Sequence, residues 1–183
     1  MQDEESLVRR AQKHNQEAFA ELYERYFDKI YRYIVIRTGN TQEAEDMTQQ
    51  VFLKVLRSIS SFKWRGKPFS AWLFRIAHNQ VVDYLRKKTK QPTVPFEQSL
   101  ARSEDNPYLL AEQKLEMKQL FLAVGELTEA QREVISLRFT SELPIAEVAK
   151  VMGKSLGAVK ALQHSAIVAL RKKLTGAFEY EKA

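Results

Sequence analysis

Residues 145–163 read IAEVAKVMGKSLGAVKALQ, and this stretch decides the fold of the C-terminal part of the chain. Ala149, Gly153 and Val159 stand at successive spacings of four and six residues, as in a helix-turn-helix. The first position must be small because the second helix crosses it, and the glycine supplies a positive-φ turn without steric cost. Val159 is expected beneath the second helix, which Ser155 caps.

The second helix of this motif has an apolar and a polar side. Its predicted inward stripe consists of Val159, Leu162, Ala166 and Leu170. The other side suits the DNA major groove, where basic side chains reach phosphates and small or polar ones reach base edges. The candidate contacts with DNA are Lys154, Ser155, Lys160, Ala161, His164 and Arg171. A plain surface histidine is the alternative for His164.

Positive charge is concentrated in two separate parts of the chain. The 183 residues include 29 Lys and Arg against 23 Asp and Glu, a net charge of +6. Residues 62–90 carry +7 with Asp83 as their one acid, and residues 150–173 carry +6 with no acid. Two such islands suit contacts with a phosphate backbone. The alternative is two solvated helix faces and a lysine-rich linker.

Several classes of protein are excluded by composition and spacing. The chain has no cysteine, which excludes disulfides, thiolate metal sites and a cysteine nucleophile. Its histidines, His14, His78 and His164, are too far apart for a local ligand pair. Because no phosphate-binding loop or catalytic triad order is present, we expect no enzyme, metal or cofactor. The absence of a signal peptide and of a long apolar run favours a cytoplasmic protein.

Apolar residues recur at helical spacing along most of the chain, with almost no strand signal. The pattern predicts one helix from Asn15 to Gly39, a second after Thr41 and a third beginning near Pro68. Proline and polar residues then interrupt the pattern. We therefore predict an all-α fold of two small helical domains joined by a flexible linker. The predicted divisions are a domain over 1–88, the linker over 89–107 and a domain over 108–177.

Helices also fill the C-terminal part before the helix-turn-helix. The spacing predicts one helix over 109–124. The sequence Thr128-Glu129-Ala130-Gln131 fits a capping box, in which the side chains of Thr128 and Gln131 each bind the other residue's backbone N–H. This helix is expected to continue to about Phe139, before Pro144 opens the next.

These stretches together resemble a known family, the bacterial extracytoplasmic-function sigma factors of RNA polymerase. The match runs from about residue 15 to 174, in the order of the family's regions and without a region 3. Four stretches carry the resemblance. FAELY (19–23) resembles the start of region 2.1, and AEDMTQQVFLKV (44–55) resembles region 2.2. FSAWLFRIAHN (69–79) resembles part of regions 2.3 and 2.4, and LTEAQREV (127–134) the start of region 4. The resemblance implies promoter-specific transcription initiation, with −10 recognition by the first domain and −35 recognition by the second.

The resemblance also implies that region 2.2 docks on a coiled coil of the polymerase β′ subunit. Polar side chains around a semi-exposed Phe52 offer acceptors and an apolar anchor for such a partner. The candidate polymerase contacts are Asp46, Gln49, Gln50, Phe52 and Lys54. The alternative is a solvated acidic face, with Phe52 in the core of the domain.

The basic, aromatic loop over 62–68 and the helix after it are implied to take the −10 element. Opening the duplex requires an unstacked base to be captured, and stacking on an aromatic ring contributes about 1–3 kcal/mol per base. The candidate contacts with the −10 element are Lys63, Trp64, Arg65, Lys67, Asn79 and Arg86. Trp72 is expected in the core instead.

Some positions depart from the family's pattern. Gln50 replaces a frequent acid, and Pro144 replaces the usual polar residue before the helix-turn-helix. Leu162, Ser165 and Ile167 stand where the recognition helix often has arginine, which reduces the number of phosphate contacts.

The implied partners are the β′ and β subunits of core RNA polymerase, promoter DNA and an anti-sigma factor. Two other readings stay open. One is a helix-turn-helix regulator that binds duplex DNA by itself, and the other is a sigma-like protein that binds polymerase without initiating transcription. Region 2.2 and the second basic island argue against the first, whereas the weakly basic recognition helix keeps the second open.

Overall fold

The computed structural model describes residues 3–64, 68–88 and 119–180, with side chains up to residue 174, and all regular elements in these ranges are helical. The helices are α1 (Glu4–Gln12), α2 (Gln16–Thr38), α3 (Thr41–Ser58), α4 (Phe69–Lys88), α5 (residues 119–125), α6 (Glu129–Ile135), α7 (Ile145–Met152) and α8 (Leu156–Tyr180). The predicted all-α fold of two helical domains is confirmed. The linker over 89–107 and residues 109–118 of a predicted helix lie outside the described residues.

Short polar side chains and glycine set the bounds of the N-terminal helices. The Asn15 side chain accepts a hydrogen bond from the Ala18 N–H at 2.8 Å at the start of α2. Gly39 ends that helix in the left-handed region at φ 66°, where glycine has no steric penalty. Asn40 then caps α3 by accepting from the Glu43 N–H at 3.1 Å.

The predicted turns of the C-terminal half are also present. Thr128 and Gln131 form the capping box at the start of α6. Gly153 adopts φ 64° between α7 and α8, and the Ser155 hydroxyl accepts from the Ala158 N–H at 3.2 Å. One feature differs from the prediction, because α6 ends in a π-helical turn over Ser136–Thr140 rather than as a regular helix. A π turn holds an extra residue and shifts the direction of the following chain.

The N-terminal helices share one apolar core. The side chains of Leu7, Ile30, Val51 and Leu73, one from each of α1 to α4, are fully buried in it. Aromatic rings extend this core toward the start of α4, where Phe69 lies 5.8 Å from Tyr26 and 5.6 Å from Phe62 between ring centroids. Edge-to-face packing of this kind adds about 0.5–1.5 kcal/mol per pair beyond area burial.

A group of polar side chains around the buried Arg37 and Glu133 joins the two domains. Arg37 on α2 has no exposed side-chain surface and pairs with Glu129 and Glu133 of α6, the latter at 3.6 Å. His78 of α4 contacts Glu133 from the other side. We call Arg37, His78, Glu129 and Glu133 the interdomain polar cluster. The charges of Arg37 and Glu133 are removed from water together, so neither is stable there without the other.

Further polar contacts connect α4 to the helix-turn-helix. The Ser70 hydroxyl donates to Glu147 at 2.5 Å. The Arg75 guanidinium donates to the backbone carbonyls of Lys150, at 3.2 Å, and Val151, at 2.5 Å. These carbonyls lie at the carboxyl end of α7, where the helix dipole favours a cation. The second domain is therefore held at several points along α6 and α7.

We expect Arg37→Met to lower the free energy of unfolding by about 3–5 kcal/mol, because Glu133 loses its buried cation. The matched control is Arg9→Met, which breaks an exposed pair with Glu5 and should cost less than about 1 kcal/mol. Urea unfolding followed by circular dichroism measures both values. Adding Glu133→Gln to Arg37→Met should recover part of the loss. Equal costs for the two single substitutions would contradict the role given to the cluster.

Candidate nucleic-acid interface

Helix α8 presents the predicted polar face to solvent. Val159 and Ala166 are fully buried against the rest of the domain, and Leu162 and Leu170 are half-buried. The inward stripe is therefore as predicted. On the opposite side Lys160, Ala161, His164, Ser165 and Arg171 are exposed. This leaves one continuous side of the helix, including two basic side chains, accessible to a ligand.

The amino end of α8 is open as well. Lys154 and Ser155 are both exposed, and the Ser155 hydroxyl is already engaged as the helix cap. Gly157, in the first turn, has no atom within 4 Å of the position that a Cβ would occupy. The backbone of this turn can therefore approach a phosphate closely, as helix amino ends do. The prediction from sequence did not include Gly157, although its place after the cap is visible there.

The outer side of α4 carries two of the predicted −10 residues. Asn79 and Arg86 are exposed, and a spacing of seven residues puts them on one face of the helix. Lys63 is exposed on the loop before α4. Arg65 and Lys67 lie outside the described residues.

Trp64 is half-buried rather than free in solvent. Its ring packs edge-on against Phe62 at 5.1 Å between centroids. Its indole nitrogen is buried without a hydrogen-bond partner among the described residues. Trp72 is also half-buried, with its ring 5.2 Å from Phe62 and 5.5 Å from Phe69. Trp72 thus packs on the core as expected, and Trp64 lies at the edge of the same aromatic group.

The outer face of α3 exposes four of the five candidate polymerase residues, and the fifth is buried. Asp46, Gln49, Gln50 and Lys54 are exposed, and Gln50 accepts a hydrogen bond from Gln80 at 2.8 Å. The expectation of a semi-exposed Phe52 is wrong. Its side chain is 5% exposed, with its ring 4.6 Å from that of Tyr23. Position 52 follows the buried Val51 on the inward side of α3, so Phe52 belongs to the core.

Two leucines that sequence reasoning missed supply the apolar surface of α3. Leu53 is 52% exposed and Leu56 is 50% exposed. Leu53 stands two residues after the inward Val51, and two residues rotate a helix by about 200°. That spacing was the signal in the sequence, because it places Leu53 opposite the core and beside Gln49 and Lys54.

An apolar groove of about 440 Å³ borders the second domain and was not predicted either. It is lined chiefly by Ile36, Phe121, Ile135, Phe139, Ile167 and Leu170. The side chain of Phe139, in the π turn, is 56% exposed there. The π turn therefore directs an aromatic ring toward the groove.

Burial and nearby charges shift the pKa of several groups. Burial raises the pKa of Tyr33, whose neighbours include Arg37 and Glu133. A hydrogen bond from Lys29 of α2, at 2.9 Å, lowers the pKa of Glu142. Among the described residues, no cluster of three acidic or histidine side chains could hold a metal ion, and no helix has the length and hydropathy needed to cross a membrane.

Two protein families match the chain, one in each half. Sigma-70 region 2 matches residues 22–91, and Sigma-70, region 4 matches residues 123–172. The first match includes α3 and α4, which carry the candidate polymerase and −10 residues. The second includes the helix-turn-helix.

Similar proteins agree with these matches. The ECF RNA polymerase sigma factor BldN of Streptomyces coelicolor is 39% identical over 92% of the chain, which spans 64% of that relative's length. The ECF RNA polymerase sigma factor SigW of Bacillus subtilis is 32% identical over 91% of the chain and 94% of its own length.

Solved structures show the same fold. CnrH, in complex with the cytosolic domain of CnrY, superposes with a TM-score of 0.71 at 24% identity, over 93% of this chain and 96% of that one. RpoE of Bartonella quintana, in complex with the anti-sigma factor NepR, superposes with a TM-score of 0.69 at 22% identity. The match covers 86% of this chain and 96% of that one. From both family matches and the relatives in sequence, the chain belongs to the extracytoplasmic-function sigma factors of RNA polymerase.

Proposed function

We propose that this sigma factor binds core RNA polymerase through α3 and directs initiation at promoters with a −10 and a −35 element. The domain over 1–88 contacts the polymerase and the −10 element, and the domain over 108–177 contacts the −35 element. The observation that carries this proposal is the presence of three separate outward faces, two basic and one mixed. A regulator that binds duplex DNA alone needs one basic face, whereas a factor that brings polymerase to two DNA elements needs all three.

The polymerase contact is assigned to the face of α3 that holds Asp46, Gln49 and Lys54. Leu53 and Leu56 replace Phe52 as its apolar anchor, because they are the exposed large apolar side chains of that helix. Binding energy at interfaces concentrates in a few desolvated side chains, surrounded by polar ones that exclude water. A partner with a coiled coil, such as the β′ subunit, suits a straight helical face of this kind.

We expect Leu53→Gln to weaken binding to core polymerase about 5–10-fold, because a polar amide replaces the apolar anchor. The matched control is Val168→Gln, which changes an equally exposed apolar residue on α8. Fluorescence anisotropy of labelled protein, titrated with core polymerase without DNA, measures both. The assignment fails if the two variants lose the same affinity. Because both side chains are half exposed, neither substitution should alter folding.

The −35 contact is assigned to the outward side of α8. Lys154, Lys160 and Arg171 supply positive charge, and Ala161 and His164 lie between them on the exposed side. Basic side chains neutralise phosphates and fix the helix in the groove, and the smaller ones meet the base edges. With arginine absent from three positions where the family often has it, this helix depends more on each remaining cation.

We expect Lys160→Met to weaken promoter binding by the holoenzyme at all −35 sequences alike. The slope of log affinity against log salt should fall by about one unit, since one phosphate contact is lost. Lys13→Met removes an exposed lysine at the end of α1 and should leave the slope unchanged. Filter binding at several salt concentrations distinguishes the two. A Lys160 variant with the slope of the native protein would place α8 away from DNA.

The −10 contact is assigned to Lys63, Trp64, Asn79 and Arg86. Arg65 and Lys67 are assigned to it from the sequence alone, because they lie outside the described residues. The aromatic ring at the edge of the domain offers a stacking surface for one base taken out of the duplex. An anti-sigma factor is proposed as a further partner, because the similar RpoE structure holds its sigma factor in complex with one.

The decisive test of this function is run-off transcription with core polymerase and fragments of the organism's genome. The expected result is transcripts that depend on the protein and begin downstream of paired −10 and −35 elements. If the protein binds core polymerase but yields no transcript, the non-initiating reading replaces this one. If it binds duplex DNA tightly and core polymerase not at all, it is a stand-alone regulator.

Simultaneous contact with both elements requires the two domains to separate. The −10 and −35 elements lie about 25 base pairs apart, which is roughly 85 Å of duplex at 3.4 Å per base pair. A compact chain of this length has a diameter of about 40 Å. The packed arrangement of α6 and α7 on α2 and α4 is therefore a closed form, and the holoenzyme on a promoter holds an open one.

A further inference from the structure

A side chain of α1 supports the 3-10 turn after α3 and the first residue of the loop over 62–68. After α3 the chain makes a 3-10 turn over Ile59–Ser61 and continues through Phe62 to Trp64. The amide of Gln12, the last residue of α1, donates to the carbonyl of Ile59 at 3.0 Å and to that of Phe62 at 2.7 Å. Helix α1 lies before both matched sigma regions, and nothing in the proposed function uses it.

Gln12 uses its full donor capacity in these two bonds. A side-chain amide has two N–H groups, and each serves one carbonyl. The Phe62 N–H already donates to the carbonyl of Ile59 at 3.1 Å, which closes the 3-10 turn. Both Gln12 bonds are partly buried, so the carbonyls have reduced access to water as a replacement partner. The backbone of Phe62 is thus fixed to α1.

Phe62 in turn determines where the ring of Trp64 can lie. Its own ring is within 5.1–5.6 Å of the rings of Trp64, Phe69 and Trp72. Since the buried indole nitrogen of Trp64 has no hydrogen-bond partner in the described part of the chain, ring packing rather than a hydrogen bond holds this tryptophan. A shift of Phe62 would therefore shift Trp64 as well.

We propose that Gln12 is a positioning residue for the capture of a −10 base by Trp64, acting through the backbone of Phe62. This inference rests on the proposed function of Trp64. Capture by a preformed ring avoids the cost of ordering this side chain at the moment when the duplex opens. Gln12 makes no contact with DNA in this account, and its effect passes through the two carbonyls alone.

The first experiment reads the position of Trp64 without polymerase or DNA. The chain has two tryptophans, so a Trp72→Phe background leaves Trp64 as the only one. In that background we expect Gln12→Met, which has a similar length but no donor, to raise acrylamide quenching of Trp64 about two-fold. Gln12→Glu should do the same, because a carboxylate cannot donate to a carbonyl. Gln16→Met, at an exposed position on α2, is the matched control and should leave the quenching unchanged.

The second experiment measures open-complex formation by the holoenzyme, with Trp72 retained. On a duplex promoter, permanganate reactivity at the −10 element should develop about 3–10-fold more slowly with Gln12→Met than with Gln16→Met. A promoter with a premelted −10 element should reduce this difference, and affinity for core polymerase should be the same for both. A general loss of stability would instead lower polymerase binding, and thermal unfolding of both variants checks for it.

The outcomes separate this inference from the function on which it rests. Unchanged quenching in Gln12→Met overturns the inference whatever the promoter assay shows. If quenching rises but opening slows only in Trp64→Ala, Gln12 holds the loop without affecting capture and the inference is wrong. If opening is also normal in Trp64→Ala, the assignment of Trp64 to the −10 element fails, and the inference fails with it. Increased quenching together with slower opening in Gln12→Met supports the proposal.

Discussion

The arrangement of the two domains depends on the burial of one arginine. Arg37 lies in the last turn of α2, and the only acids paired with it in the described ranges come from α6 of the other domain. A guanidinium without water requires opposite charge, so the position of α6 is constrained once α2 has formed. The capping box holds the start of α6 and the π turn redirects the chain after it. The helix-turn-helix then follows against α4.

This constraint leaves the functional faces outward. The domain contact uses the sides of α2 and α4 that carry Arg37, Ser70, Arg75 and His78. The candidate polymerase face of α3 and the candidate DNA face of α8 remain exposed. Under the proposed function, closure would therefore act through the distance between the candidate binding faces. Opening would return Arg37 and Glu133 to water, and the hydration of the two charged groups would offset part of the lost pairing energy. A buried charged contact is thus more easily exchanged for solvent than an equally large apolar one.

Local features were predictable from the sequence and long-range ones were not. The caps at Ser155 and Thr128 and the turn at Gly153 follow from the chemistry of one or a few neighbouring residues, and all three were predicted. Phe52 was misplaced because an aromatic residue among polar side chains suggests an exposed anchor. The rotation per residue puts Leu53 outside instead. The pairing of Arg37 with Glu129 joins residues 92 positions apart, and no local sequence pattern predicts it. For the same reason the bonds of Gln12, across 47 and 50 positions, were not foreseen.

The central claim is that one chain joins core polymerase to two promoter elements by opening a closed pair of domains. Its most direct test is the distance between Gln42→Cys on α3 and Ala146→Cys on α7, both exposed positions in a chain without native cysteine. Spin labels at these sites report the distance by pulsed electron resonance. The free protein should give a distance below about 40 Å, the diameter of a compact chain. In a holoenzyme on a promoter, the distance should grow by roughly 20–40 Å, toward the span of the two elements. An unchanged distance in a complex that yields transcripts would contradict the account.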